Sequence, residues 1–307
     1  MQTILNTTKL TEIYILCDDF IKALDLYMEQ HFLEEDSYRS PKKDRMMSRS
    51  EMMSIVIFYH YSGFRCFKWY YTHVIKIILK SYFPESYSYN RFVYLMSELT
   101  DIFPLFITIF GLSTITEANY IDSKKIVVCH NRRIKSNQVF KNIAKRGKSS
   151  TGWFYGFKLH LIINQLGELV FFEITPGNVA DNNHDLLRKI ADKINGFVYG
   201  DRGYLSKIRE ELKGNGLIII PRLRNNMKKE KRTAKQKYYL RKRGLIETVF
   251  DFLKHLFDIE HSRYRSPRNC ILNILAALTA YAFLDRKPSI QPYNPKMEIA
   301  IDDILIV

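Results

Sequence analysis

The sequence predicts an α/β protein. A mixed sheet with crossover helices is expected over residues 114–286, preceded by an all-helical region over 1–113 and followed by a tail over 287–307. Three observations carry that expectation. Apolar residues recur at helical spacing through the first third of the chain. Two runs rich in aromatic and β-branched residues, 153–164 and 169–175, are separated by a short Gly-containing turn, as in a hairpin. Beyond them, helical and strand-like stretches alternate, which requires crossover connections.

In the helical region, Thr11 to Met28 places Ile13, Leu16, Phe20, Ile21, Leu24 and Tyr27 at helical spacing. A polar connector over 34–51 leads to Ser48-Arg49-Ser50-Glu51, a capping box that starts a helix through Met52, Ile55, Val56 and Tyr59. Ser62-Gly63-Phe64 breaks it, and a second amphipathic helix is expected from about Arg65 to Tyr82, ended by Pro84. Asn90 to Leu99 is a third, and Pro104 is expected to stop the region. Two helices around a glycine turn are compatible with helix-turn-helix DNA binding, and Arg65, Lys68, Lys76 and Lys80 favour it. An ordinary helical hairpin would leave a similar trace.

The character changes after Thr114. Asn119-Tyr120-Ile121-Asp122 reads as a short strand closing on an acid, followed by Lys124 to Cys129. From Ser123 to Gly167 there is no Asp or Glu, while Arg132, Arg133, Lys135, Lys141, Lys145, Arg146 and Lys148 accumulate. A solvated face mixes signs, whereas one sign beside a lone carboxylate suits a phosphate-binding wall. Pro176-Gly177-Asn178 ends the hairpin, Asp181 follows, and Asp185 to Lys193 is helical. Phe197-Val198-Tyr199 is then a buried strand that stops at Gly200 and presents Asp201, at the strand end where α/β sheets collect chemistry. Lys207 to Lys213 is a short helix and Leu217 to Ile220 another buried strand.

Residues 222–243 hold eleven Lys/Arg, including Lys228, Lys229, Lys231 and Arg232, against the single acid Glu230. A helix is expected from Tyr239 to Phe257. At 100° per residue Arg243, Glu247 and Lys254 fall within about 40° of one another, a polar stripe beside Ile246, Val249, Phe250 and Leu253. His261 to Pro267 is a basic turn, and Asn269 to Leu284 an apolar helix too short to span a bilayer.

Composition narrows the function classes. A formal net charge of +15 in an aromatic-rich folded chain points to a polyanionic partner, nucleic acid first. The four cysteines stand singly, with neither zinc spacing nor a disulfide framework, as in a reducing cytoplasm. With no secretory signal and no apolar run of spanning length, a soluble protein with no membrane partner is expected.

Asp122, Asp201 and Glu247, separated by basic stretches, have one economical explanation. Gathered carboxylates repel, so they share protons or hold cations. Hard oxygen ligands suit Mg²⁺ or Mn²⁺, and two such ions would serve in-line phosphoryl transfer.

From about Asn119 to Leu284 the chain resembles the DDE transposases of bacterial insertion sequences. The resemblance is carried by Tyr120-Ile121-Asp122, the run 154–160 (Phe-Tyr-Gly-Phe-Lys-Leu-His), Thr175-Pro176-Gly177-Asn178 with Asp181, Tyr199-Gly200-Asp201-Arg202-Gly203-Tyr204, and Arg243-x3-Glu247-x6-Lys254. A tyrosine that often precedes that arginine in the family has Leu240 at its position, with Tyr239 one residue off. The resemblance implies a ribonuclease-H-like fold and metal-dependent cleavage and strand transfer at insertion-sequence ends. It implies Asp122, Asp201 and Glu247 as catalytic metal ligands for Mg²⁺ (or Mn²⁺), with Arg243 and Lys254 on DNA and Asn178, Asp181 and His184 in support. Its partners would be double-stranded DNA, as terminal inverted repeats and target, bound by a homodimer at the nucleoid. Rival readings are a metal-dependent nuclease without strand transfer, an inactive remnant acting as a DNA-binding repressor, and an RNA-handling enzyme.

Overall fold

Ser48 caps its helix as the sequence dictates. Its hydroxyl accepts from the Glu51 amide at 3.0 Å, and its own amide donates to the Glu51 carboxylate at 2.6 Å. Each half of the box satisfies an amide that the helix itself cannot. The computed structural model describes residues 5–31, 46–223, 230–260 and 264–295. The chain divides into two units, Met1–Gly111 with Leu253–Leu284, and Leu112–Phe252 with Asp285–Val307.

In the first unit α1 (Thr7–His31) precedes the capped helix α2 (Arg49–Tyr61). Every residue of α2 from Met52 to His60 is buried, as an all-round apolar helix demands. Phe20 of α1 meets Phe106 edge-on, with centroids 5.2 Å apart. The regular helix expected from Arg65 to Tyr82 is instead a short α3 (Phe67–Trp69) continuing as π-helical turns over Tyr70–Ile78. Tyr70 and Tyr71 are both fully buried there, the first donating to the Ile55 carbonyl and the second to that of Tyr87. Consecutive α-helical side chains diverge by about 100°, so wider turns help both reach the interior.

After α4 (Tyr89–Met96) and a 3₁₀ turn over Ser97–Asp101, Pro104 does not stop the helical region. It occupies the first turn of α5 (Phe103–Phe110), where its missing N–H would have had no helical partner anyway. The apolar α10 (Pro267–Ala282) packs against α2.

The second unit is a six-stranded mixed sheet of β1 (Asn119–Cys129), β2 (Lys145–Ser149), β3 (Gly152–Asn164), β4 (Leu169–Pro176), β5 (Gly196–Gly200) and β6 (Leu217–Pro221). β3 is its spine. β1 pairs antiparallel along one edge, while β2 and β4 share the other edge in succession. β5 joins β1 in parallel and β6 joins β5 in parallel. β2 was not expected, because its sequence (Lys-Arg-Gly-Lys-Ser) has no apolar pattern and only the free edge of β3 makes it a strand.

On one side the sheet packs Ile121, Ile162 and Val198 against Leu187 and Ile190 of α6 (His184–Ala191) and Leu212 of α7 (Arg209–Gly214). Tyr120, Tyr199 and Tyr239 form a separate aromatic cluster, with successive centroids 5.9 and 5.8 Å apart. Tyr239 lies on α8 (Ala234–Arg241), and α9 (Gly244–His255) follows after a break at Lys242–Arg243. The single helix expected from Tyr239 to Phe257 is therefore two.

Three glycines let the backbones nest behind the site. A Cβ on Gly147 would lie 2.0 Å from the Gly177 carbonyl oxygen, and one on Gly156 would lie 1.9 Å from that of Ile126. The Gly177 amide donates to the Gly156 carbonyl at 2.9 Å. This packing anchors the turn after β4, and with it the segment that carries Asp181.

Candidate active site

Parallel pairing of β1 with β5 sets Asn119 beside Val198 and Tyr120 beside Tyr199. Continued two residues past the last paired position, that register leads from Tyr120 to Asp122 and from Tyr199 to Asp201, and Asp122 lies in the field of Asp201. Asp201 is the first residue past β5, and its carboxylate accepts from the Gly203 amide at 2.7 Å. Asp122 accepts from the Ser123 amide at 2.9 Å.

Arg243 links the third acid to this pair. One guanidinium nitrogen stands 3.8 Å from the Asp122 carboxylate, and another donates to Glu247 at 2.6 Å. Asp122 and Arg243 are largely covered, whereas the Glu247 side chain is 57% exposed. Glu247 is therefore free to change partners at little desolvation cost.

Asp181 belongs to the same cluster. It accepts from the Ser123 hydroxyl at 2.8 Å and from Lys158 at 3.0 Å, and His160 Nδ1 lies 3.9 Å away. A Cβ placed on Gly203 would meet both the Asp201 and the Asp181 carboxylates, at 2.7 and 3.4 Å. The buried Tyr204 hydroxyl lies in the field of Asp181, Asp122 and Asp201, beside Ser123, without a hydrogen bond of ordinary geometry. Lys158, His160, Ser123 and Tyr204 were not anticipated as site residues. For two of them a signal existed, since Lys158 and His160 alternate as polar residues on one face of a strand otherwise apolar over 157–163.

The remaining candidates are more dispersed. Asn178 is exposed in the turn after β4, and His184 is exposed at the start of α6. Arg232 donates to the Pro221 carbonyl at 2.7 Å and pairs with Glu230, while Lys231 is exposed. Lys228, Lys229 and the basic turn at 261–263 lie outside the described residues. In the first unit Lys254 pairs with Glu260 at 3.1 Å, Arg65 with Asp258 at 3.4 Å, and Lys68 lies 5.9 Å from the Tyr89 ring centroid. Tyr239 is structural, fully buried and bonded through its hydroxyl to Glu117 at 2.8 Å.

Burial pushes the Asp122 carboxyl up to about 6. Asp201 and Asp181 add to the rise, while the Ser123 amide and Arg243 oppose it. Burial also pulls His160 down to about 4, against the field of Asp181, so its imidazole is neutral at pH 7. These shifts have opposite linkage. Between pH ~4 and ~6 the folded chain holds extra proton at Asp122, so that residue's contribution to stability is lost as pH rises. Between pH ~4 and ~6.5 it holds less proton at His160 than the unfolded chain does, so stability from that residue grows as pH rises. Relative to the unmodified protein, Asp122→Asn should gain stability on going from pH 4 to 6, and His160→Gln should lose it. Urea midpoints across that range measure both, and parallel profiles for all three proteins would refute the assignment.

The donor set suits a hard divalent cation. Asp122 lies within the field of Asp201, and a guanidinium already supplies positive charge between Asp122 and Glu247. Among the described residues no three His, Cys, Asp or Glu side chains converge as a ready-made metal-holding group. Glu247 is engaged by Arg243 instead.

Among the described residues no single helix is long and apolar enough to cross a membrane. A search of curated proteins finds no significant match. The family model described as "Transposase DDE domain" matches residues 112–267, just over half of the chain, and the match includes Asp122, Asp201 and Glu247. On that match the chain belongs to the DDE transposase family.

Proposed function

We propose that this protein is a DNA transposase that cleaves and joins strands at the ends of an insertion sequence, with Asp122, Asp201 and Glu247 as its catalytic carboxylates. The observation that carries this reading is the parallel register of β1 and β5, which leads toward Asp122 and Asp201, with Arg243 linking Asp122 to Glu247. An antiparallel half built from β1, β3 and β4, continued by parallel β5 and β6, supports a ribonuclease-H-like sheet.

Domains of this family generally work with divalent metals. Asp122 and Asp201 would hold Mg²⁺ or Mn²⁺, and Glu247 would join them on release from Arg243. The bound ion would supply Lewis-acid activation of the attacking oxygen and neutralise charge on the leaving one. The chain's own residues do the rest. Arg243, freed from Glu247, offers a planar two-point donor to the scissile phosphate. Lys158 and Ser123 fix Asp181, which borders the pair and discourages proton loss from Asp122. Lys254, Lys231 and Arg232 are proposed DNA contacts, as are Lys228 and Lys229. The helical region, with Arg65 and Lys68, is proposed to contribute to recognition of the element's ends, by a homodimer on DNA.

Purified protein incubated with the DNA flanking its own gene tests this reading. Strand cleavage and joining to a target should require Mg²⁺ or Mn²⁺ and vanish in excess chelator, while Ca²⁺ should support binding with little turnover. Undiminished cleavage in chelator would overturn the metal-dependent mechanism. Cutting without joining of the 3′ hydroxyl to target DNA would reduce the protein to a nuclease.

A further inference from the structure

We propose that the β2–β3 hairpin is a binding site for unpaired DNA, in which Trp153 stacks on a base while Arg146 and Lys148 hold the adjacent phosphates. The inference rests on the reading above that the protein processes DNA, and it names a site outside the acid cluster.

Trp153 is 53% exposed, although a ring of that size is normally among the best-covered side chains. Lys148 stands opposite it in the β2–β3 register, with its ammonium 5.7 Å from the ring centroid, and the Arg146 guanidinium lies 5.0 Å from the same centroid. Two cations thus lie within 6 Å of the ring centroid, yet more than half of the residue's surface stays open. The Asn131 side chain donates to the Trp153 carbonyl at 2.7 Å, and Lys125 donates to the Thr151 hydroxyl at 2.6 Å. Both bonds tie the hairpin end back to β1 and the turn after it, so the ring sits on a supported platform.

Charge and geometry select the partner. The stretch from Ser123 to Gly167 contains ten Lys/Arg and no acid, which favours a polyanion over an apolar protein surface. An exposed indole beside two cations matches the stacking platforms that take bases of single strands. In a duplex both faces of each base are already stacked, so the ring finds a partner only where bases are unpaired. The site also lies within reach of the reacting phosphate. Leu161 is the register partner of Asp122, and Trp153 is eight residues away along β3. At about 3.3 Å per residue that is roughly 26 Å, no more than about eight nucleotides of a strand.

The full-length protein contains two tryptophans, Trp69 and Trp153, so Trp69→Phe leaves Trp153 as the only indole reporter. This variant is titrated in chelator with oligo(dT) and with a blunt duplex of equal length. Saturating oligo(dT) should quench Trp153 emission by roughly half, as base stacking requires, and the duplex should quench it far less. Trp153→Ala should weaken oligo(dT) binding about tenfold or more with an unchanged salt slope, and Trp153→Tyr should restore most of the loss. Arg146→Ala with Lys148→Ala should instead lower the slope of log affinity against log salt by about 0.7 for each cation.

Saturated oligo(dT) binding with no change in Trp153 emission would overturn the proposal, as would oligo(dT) affinity unchanged by Trp153→Ala. Either result together with metal-dependent cleavage would leave the transposase reading standing. Failure to bind either form of DNA would remove both.

Discussion

Asp122→Asn should abolish strand cleavage and at the same time stabilise the protein. The substitution keeps the shape of the side chain and removes a charge that burial opposes. With the Asp122 carboxyl raised from 3.8 to about 6, ionisation at pH 7 costs the folded state on the order of 2–3 kcal/mol relative to the unfolded chain. Asparagine relieves that cost, while the loss of a charged ligand should lower cleavage by at least about a thousandfold, no less than loss of one preorganised transition-state donor. Asp201→Asn and Glu247→Gln should be equally inactive. Glu247→Gln should leave stability nearly unchanged, because a half-exposed i,i+4 pair is worth only ~0.3–0.5 kcal/mol. Strand-cleavage assays paired with urea unfolding separate the two effects. Near-normal cleavage by any of the three would remove that residue from the catalytic set, and an Asp122→Asn protein less stable at pH 7 would refute the desolvation account.

The second large effect is structural. Gly156→Ala and Gly147→Ala should each destabilise the second unit by ~3 kcal/mol or more, the upper end of overpacking costs. The obstacle in each case is a main-chain carbonyl, of Ile126 at 1.9 Å and of Gly177 at 2.0 Å, rather than a side chain that can rotate away. Moving Ile126 breaks the β1–β3 ladder beside the site. Gly214→Ala is the control, since nothing lies within 4 Å of its added Cβ and alanine is the better helix former. Urea midpoints should fall sharply for the first two variants and hold or rise for the third. A Gly156→Ala protein within about 1 kcal/mol of the parent would mean that the strands do not approach so closely.

Local chemistry by itself determined much of this protein. The Ser48–Glu51 capping box, the hairpin of β3 and β4 and the apolar strands β5 and β6 follow from hydrogen-bonding capacity and periodicity within a few residues. The candidate acids were legible for a similar reason, since Asp201 directly follows an apolar strand and Glu247 lies four residues from an arginine on a helical stripe. Tertiary structure alone decided the rest. β2 exists because β3 offers a free edge, which no pattern in Lys-Arg-Gly-Lys-Ser announces. Pro104 begins a helix rather than ending one, because the same missing N–H fits either boundary. Asp181 was a supporting candidate by resemblance, while its local sequence marked only a turn. Its place with Ser123, Lys158 and His160 depends on strand register and on three glycines that let separate backbones touch. A register is set by pairing between distant segments, and a carboxylate's proton affinity is set by what those segments bury around it, so neither can be read from the neighbours of a residue in the chain.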